Sequence, residues 1–154
     1  MSEVLRQLRE AAAERARAIT AQYPDWPCRK GCALCCRNLA QPMALAEAEW
    51  AEVETGLALL SEEVRAAVDH RQAKVTGPPY QCPYLDPLAD ACLIYAHRPI
   101  ACRTYGFYID ERGTGLYCGI IRARVEDGEF AEVVWGNHGA ADQRLKALGP
   151  RRSH

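Results

Sequence analysis

The sequence lacks any strong excess of charge of one sign. Its 154 residues include 19 lysines and arginines against 20 aspartates and glutamates, which gives a formal net charge of −1 at pH 7. Proteins that bind nucleic acid through a basic face, or that carry an acidic tail, show an imbalance that is missing here. We therefore expect no nucleic-acid partner, while a protein partner is left open.

Long apolar runs are also missing. No run approaches the roughly 18 apolar residues of a membrane-spanning helix, so no membrane partner is expected. The first ten residues, MSEVLRQLRE, carry acids and lack the apolar stretch of a signal peptide. There is no repeat or low-complexity segment. With 49% hydrophobic residues the chain can form a core, and its length fits one domain.

Cysteine, in contrast, is abundant, with eight residues in the chain. In a secreted protein this density would predict disulfides, whereas in a reducing cytosol it predicts metal binding or redox chemistry. Because the N-terminus does not resemble a secretion signal, we expect a cytoplasmic protein that ligates metal. Disulfides and buried free thiols are the alternatives. The candidate ligands are Cys28, Cys32, Cys35, Cys36, Cys82, Cys92, Cys102 and Cys118.

Four helices are predicted, three from the helical spacing of apolar residues and one from its N-cap residue. Apolar residues at helical spacing predict helices over 3–22, 45–60 and 139–148. Ser61 can accept a hydrogen bond from the first turn of a further helix, because a serine hydroxyl suits the N-cap position. Gly77-Pro78-Pro79 predicts where this helix ends.

The stretch 80–119 is rich in proline and glycine, and it predicts only short elements. We expect strands over 93–95, 105–109 and 116–125, a helical turn over 96–103, and a hairpin between 120–125 and 130–135. The predicted fold is thus mainly α with a small irregular β and loop region. It is expected to form a compact single domain over 1–154, organised around a cysteine-ligated metal site.

The first cysteine cluster reads Cys28-Arg-Lys-Gly-Cys32-Ala-Leu-Cys35-Cys36. Such short spacings let a chain curl round an ion, and soft thiolates select zinc, copper(I) or iron–sulfur clusters. Side chains of adjacent residues diverge in most backbone conformations, so Cys35 and Cys36 are expected to serve two metal positions or two sides of one cluster. Eight ligands would suffice for two zinc ions.

Two more specific spacings lie within this cluster. Cys28, Cys32 and Cys35 match the Cys-x3-Cys-x2-Cys spacing of radical S-adenosylmethionine enzymes, whose three sulfurs leave one iron open. A full enzyme of that class is not expected, because the chain is short and shows no alternating strand–helix repeat. The pair Cys32-x2-Cys35 also fits a thioredoxin-type redox motif, but no flanking strand–helix unit supports it.

The cysteine motifs together resemble a known family. Cys28-x3-Cys32-x2-Cys35-Cys36 is followed by the segments Cys82-Pro-Tyr-Leu and Cys92-Leu-Ile-Tyr-Ala-His-Arg-Pro-Ile-Ala-Cys102-Arg. This order resembles the YkgJ-type cysteine cluster family, the zinc- or iron-chelating CxxCxxCC domain, over residues 28–118. The resemblance implies a domain that binds metal or an iron–sulfur cluster and whose activity is poorly assigned. All eight of the family's cysteines are present.

Several polar side chains neighbour the sulfurs in sequence. Arg98 and Arg103 flank Cys102 and could donate to an anionic metal–thiolate group, or they could be ordinary surface arginines. His97 could also ligate. Three tyrosines are expected to pack over the site: Tyr84, Tyr95 and Tyr105.

Two functions follow from these observations. The first is a metal-binding protein that holds zinc or an iron–sulfur cluster through eight cysteines, with a structural or electron-transfer role. The alternative is an iron–sulfur enzyme with an open metal position, performing redox or S-adenosylmethionine-dependent chemistry, with Cys28, Cys32 and Cys35 as the three-sulfur set. The sequence does not decide between zinc and iron, because both metals accept four thiolates in a tetrahedral arrangement.

Overall fold

A computed structural model describes residues 1–153 of the chain. The helices in chain order are α1 (Glu3–Gln22), α2 (Leu34–Arg37), α3 (Glu47–Ala58), α4 (Glu62–Ala73), α5 (Ile100–Thr104), α6 (Gly119–Glu126) and α7 (His138–Lys146), with a 3-10 turn over Tyr95–His97. The strands are β1 (Ala44–Ala46), β2 (Leu85–Asp86), β3 (Ala91–Cys92), β4 (Tyr108–Ile109), β5 (Gly115–Leu116), β6 (Gly136–Asn137) and β7 (Arg151–Ser153).

The prediction of a mainly helical chain with a small β region is confirmed, since helices form about 48% of the described residues. The backbone groups into two compact units. Of the described residues, unit 1 comprises Met1–Arg29 and Pro99–Gly149, and unit 2 comprises Lys30–Arg98 and 150–153. That the chain acts as one domain around a metal site stays a prediction.

Unit 1 begins with α1, which has the predicted bounds. The Ser2 hydroxyl accepts a hydrogen bond from the Leu5 amide at 3.1 Å, and this cap satisfies a donor that the first turn leaves unpaired. Leu5, Leu8 and Ile19 are buried along one face at helical spacing. The unit also contains a sheet of order β5–β4–β6, in which β4 pairs antiparallel with β5 and parallel with β6.

An aromatic cluster forms the second part of the unit 1 core. Trp26 is 1% exposed, and its ring centroid lies 4.4 Å from that of Phe130 and 5.7 Å from that of Trp135. The Arg124 guanidinium lies 4.5 Å from the Phe130 ring centroid and donates to the Asp25 carboxylate at 2.8 Å. The segment before the first cysteine is therefore held by stacking and by an ion pair at its surface.

The predicted strand over 116–125 and its hairpin with 130–135 are wrong. Only Gly115–Leu116 is extended there, and residues 119–126 form α6. Ile121 is fully buried, the next two residues are exposed, and partial burial returns only at 124–125, so burial follows a helical rather than an alternating pattern. Gly128, at φ 81°, donates to the Val125 carbonyl at 3.0 Å and ends the helix instead of turning a hairpin.

Unit 2 is built on α3 and α4, which lie within the predicted segments. The Ser61 hydroxyl accepts from the Val64 amide at 3.2 Å, which confirms the predicted cap. Val53, Leu57 and Val68 are buried in one apolar cluster. Two antiparallel pairs complete the unit, β1 with β7 and β2 with β3. The predicted strand over 93–95 is wrong, because β3 ends at Cys92 and the 3-10 turn follows.

Within residues 1–153, no helix combines the length and the apolar character that a membrane crossing requires.

The packing of α3 gives a matched pair of substitutions. Leu57 is 3% exposed and Leu59, at the end of the same helix, is 76% exposed. Leu57→Ala should lower the free energy of unfolding by about 2–5 kcal/mol, because it removes buried methyl groups and leaves a cavity. Leu59→Ala should change it by less than about 0.5 kcal/mol. Urea unfolding followed by circular dichroism measures both, and equal losses would contradict this packing.

Candidate metal centre

The eight cysteines form no disulfide, and the two units divide them. Unit 2 contains five and unit 1 contains three. Cys82 is buried, Cys32 is exposed, and the others lie between these limits. Each set is built by a different part of the fold.

In unit 2 a main-chain contact joins the first cluster to the second. Cys36 lies on α2, and its carbonyl accepts a hydrogen bond of 2.7 Å from the Cys82 amide. Leu39 and Tyr80 continue this alignment by exchanging two main-chain bonds of 2.9 Å in an antiparallel bridge. These contacts hold residues 80–82 alongside the end of α2.

The β2–β3 hairpin then brings a further cysteine back to the same region. The Leu85 amide donates to the Cys82 carbonyl at 3.2 Å, and Leu85 pairs with Cys92 across the hairpin. The Leu93 amide donates to the Tyr84 carbonyl at 2.9 Å. Cys36 and Cys92 both pack against the apolar cluster that contains Cys82. A continuous set of main-chain contacts therefore joins the end of α2 to the hairpin, and cysteines from both pack against one apolar cluster.

That Cys35 and Cys36 serve two metal positions, or two sides of one cluster, stays a prediction. Hydrogen bonding with the adjacent Cys36 thiol, burial and the charge of Cys36 together raise the pKa of Cys35 well above its usual range. The pKa of Cys92 is also raised, chiefly by burial, with the charge of Arg98 acting to lower it and that of Cys35 to raise it. In the metal-free protein these thiols are protonated at neutral pH.

Unit 1 places three cysteines around one turn. The Cys28 thiol donates to the Tyr105 carbonyl at 3.5 Å. Cys102 lies on α5, directly before this turn, and Cys118 is the N-cap residue of α6. The Gly106 amide donates to the Leu116 carbonyl at 2.7 Å, which brings the approach to α6 next to the turn.

Gly106 is the residue that permits this arrangement. Its φ is +97°, in the region that favours glycine, and a Cβ added there would lie 2.6 Å from the Cys28 sulfur. Gly106 is not among the site residues predicted from the sequence. Its position between two aromatic residues, Tyr105 and Phe107, four residues after Cys102, was the available indication.

The predicted polar neighbours take separate positions. In unit 2 the Arg98 guanidinium lies 3.7 Å from the Tyr95 ring centroid and its Nε donates to the Tyr95 carbonyl at 3.0 Å. His97 places its Nδ1 3.5 Å from an oxygen of Glu52 and packs over Gly56, so its ring lies against α3. In unit 1, Arg103 lies on α5. Sequence reasoning did not identify Glu52, for which only helical periodicity offered a clue.

The donor set fits a thiophilic metal by its chemistry. Thiols grouped along one contact network supply soft ligands, and they carry no disulfide that would consume them. Within residues 1–153, however, no three side chains of histidine, cysteine, aspartate or glutamate already stand close enough to hold an ion. Binding of a metal would therefore draw the sulfurs closer together and displace their protons. The ligand assignments stay predictions.

The site is thus of the cysteine-cluster class. A family model named CxxCxxCC, described as "Putative zinc- or iron-chelating domain", matches residues 27–131. This match covers more than half of the chain, and the protein belongs to that family, which confirms the resemblance to the YkgJ-type cysteine cluster. No curated protein and no solved structure matches the chain.

Two glycines test the close approach of Cys28. Gly106 and Gly113 both have positive φ, but a Cβ at Gly113 would meet nothing within 4 Å. Alanine at either position should cost on the order of 1 kcal/mol through backbone strain. Gly106→Ala should cost clearly more and should lower the metal content, because it displaces the Cys28 sulfur. Chemical unfolding and elemental analysis of both variants provide the comparison, and indistinguishable behaviour would refute a role for Gly106.

The thiol pair makes a second prediction for reduced, metal-free protein. A raised pKa leaves less thiolate at a given pH, so iodoacetamide should modify Cys35 more slowly than exposed Cys32 at pH 8. Cys36→Ala removes the hydrogen bond and the neighbouring charge, which should lower the pKa of Cys35 and speed its modification. Cys118→Ala, in unit 1, serves as the control. Peptide mass spectrometry follows each site, and an unchanged rate for Cys35 in the Cys36→Ala variant would contradict the pairing.

Proposed function

We propose that this protein binds zinc or an iron–sulfur cluster through cysteine thiolates, in a structural or electron-transfer role. We further propose that Cys35, Cys36, Cys82 and Cys92 form one site within unit 2. The observation that carries this assignment is the 2.7 Å bond from the Cys82 amide to the Cys36 carbonyl, which joins the two cysteine motifs. Cys32 adds a fifth sulfur in the same unit.

Positively charged side chains near the four proposed ligands also favour this site. Four thiolates around a divalent ion leave a net charge of −2, which a nearby cation stabilises. Arg98 supplies that cation, because its charge already acts on Cys92 and its guanidinium is fixed against Tyr95. Lys30 adds a second positive charge, 5.1 Å from the centroid of the same ring.

The residues around this site also fit a structural role. Between Tyr80 and Arg98 the regular elements are a two-strand hairpin and a 3-10 turn. A bound metal would supply sulfur bonds that link α2 to this hairpin, and structural metal sites contribute folding energy of this kind. The helices α3 and α4 have their own buried apolar residues and need no such link.

A second candidate function rests on the number of cysteines in unit 1. Cys28, Cys102 and Cys118 surround the turn at Gly106, and three ligands leave a metal with a position for another molecule. This set differs from the predicted set of Cys28, Cys32 and Cys35. An open position would suit an iron–sulfur enzyme of redox or S-adenosylmethionine-dependent type.

Anaerobic purification without chelator, followed by metal and acid-labile sulfide analysis and native mass spectrometry, tests the main proposal. We expect metal on the folded protein, as zinc without sulfide or as iron with sulfide. Cys82→Ala should lose the unit 2 metal. Leu85→Ala is the matched control, because Leu85 is 1% exposed in the same hairpin but has no sulfur. A folded, fully reduced protein without metal would overturn the proposal.

Removal of the metal should loosen the hairpin before the helices. After chelation, amide hydrogen exchange should accelerate first in residues 80–98, because metal–sulfur bonds there replace regular structure. Amides of α3 and α4 should keep most of their protection. Exchange that rises uniformly across unit 2, or that does not change, would argue against a structural role for the metal and leave electron transfer as the role to test.

For the second candidate, spectroscopy of the reduced protein with and without S-adenosylmethionine separates open from closed sites. A changed signal that is lost in Cys102→Ala would support the three-sulfur set in unit 1. An unchanged signal, together with four sulfurs on every metal, would exclude an iron–sulfur enzyme with an open metal position.

A further inference from the structure

A groove of about 500 Å³ lies within unit 1 and contains no cysteine. It runs between α1 and α7, and four alanines line it: Ala11 and Ala18 on α1, and Ala140 and Ala141 on α7. Larger side chains at these positions would fill the space between the helices. The groove is therefore a consequence of small residues facing one another.

Two aromatic side chains, Tyr108 and Trp135, line the groove. Tyr108 is 6% exposed, and Trp135 lies beside it in the lining. Gly136 permits this arrangement, because a Cβ there would lie 2.3 Å from the Tyr108 ring. A flat apolar surface of this kind suits the hydrocarbon part of a small molecule.

Two arginines add positive charge to the groove. Arg15 donates to the main-chain carbonyl of Val134 at 3.1 Å, and Arg144 donates to the side-chain carbonyl of Gln7. Both acceptors are neutral, and within residues 1–153 neither guanidinium forms an ion pair with a carboxylate. Each guanidinium has five N–H donors, so both retain donors and a full positive charge.

The positive charge of Arg15 acts on Tyr108, one of the two aromatic side chains that line the groove. Burial raises the pKa of Tyr108, and the positive charge of Arg15 partly opposes that shift, so the guanidinium acts on the tyrosine hydroxyl. Glu14 also lines the groove and carries a negative charge. Two guanidinium groups against one carboxylate leave the groove positive.

We propose that this groove binds a small organic acid, with its carboxylate on Arg15 and Arg144 and its apolar body over Tyr108 and Trp135. Arginine recognises carboxylates through parallel hydrogen bonds, and aromatic side chains exclude water from the remainder of the ligand. No cysteine lines this groove, so ligand binding there does not depend on metal binding.

Titration calorimetry of the full chain with naphthylacetate tests the proposal, with naphthylacetamide as the uncharged probe of the same shape and acetate as the charge alone. Naphthylacetate should bind saturably and about tenfold or more tighter than the amide, since a charge-assisted hydrogen bond contributes at least that factor. Acetate should bind more weakly than naphthylacetate. Equal binding of naphthylacetate and the amide, or no binding of naphthylacetate, would overturn the proposal.

Variants locate the binding. Arg15→Gln and Arg144→Gln should each weaken naphthylacetate by about tenfold and leave the amide unchanged, because only the charged contact is lost. Arg17→Gln, on α1 outside the groove, is the control and should have no effect. If both groove variants bind naphthylacetate as the native protein does, the arginines do not form the site.

A substitution that fills the groove provides a second test in case the arginine variants do not fold. Ala140 is exposed on α7, so Ala140→Leu should fold and should block both aromatic probes by occupying the groove. Ala123→Leu, on an exposed position of α6, is its control. Circular dichroism checks folding in each case. Unchanged binding in a folded Ala140→Leu variant would place the ligand elsewhere and overturn the proposal.

Discussion

The hydrogen bond from the Cys82 amide to the Cys36 carbonyl aligns two stretches that are far apart in sequence. One such bond contributes only about 1 kcal/mol, so it does not hold the alignment alone. Apolar burial supplies the rest, because Cys82, Tyr84 and Ile94 are buried against α3 and α4. Cys36, Cys82 and Cys92 thus lie in or against a hydrophobic cluster to which α3 and α4 contribute, and the packing of these helices positions the three cysteines.

The helices of this protein could be predicted because each combines a periodic apolar face with a recognisable end. Ser2 and Ser61 cap α1 and α4 through hydrogen bonds that depend only on neighbouring residues. The bounds of α1 agree with the prediction for the same reason: Pro24 and Pro27 follow it, and proline cannot continue a helix. Local signals of this kind are contained within a few residues of sequence.

The region of α6 shows where such signals become ambiguous. Ile120, Ile121 and Val125 favour a strand by their side chains, and Gly128 is equally suited to a hairpin turn and to a helix end. The tertiary structure decides between them. Ile121 packs into unit 1 while Ile120 is exposed, and Phe130 joins the aromatic cluster around Trp26. No pattern within the segment could reveal that partner.

The cysteines could be identified as candidates from their number and spacing, but their grouping could not. Which sulfurs share a unit depends on the Cys36–Cys82 contact and on the turn at Gly106, both of which join residues distant in sequence. Family membership supports chelation of zinc or iron and leaves the choice of metal to experiment.

The division of the chain also fixes an order of events during translation. Residues 30–98 of unit 2 emerge from the ribosome before Cys102 and Cys118 emerge. Since chain segments fold as units as they emerge, the sulfurs on α2 and on the hairpin can meet while Cys28 still lacks both of its companions. The thiols of unit 1 must wait for a long loop to close, which costs more chain entropy than the local contacts around them. A nascent chain in a metal-poor cell would therefore expose Cys28 longest.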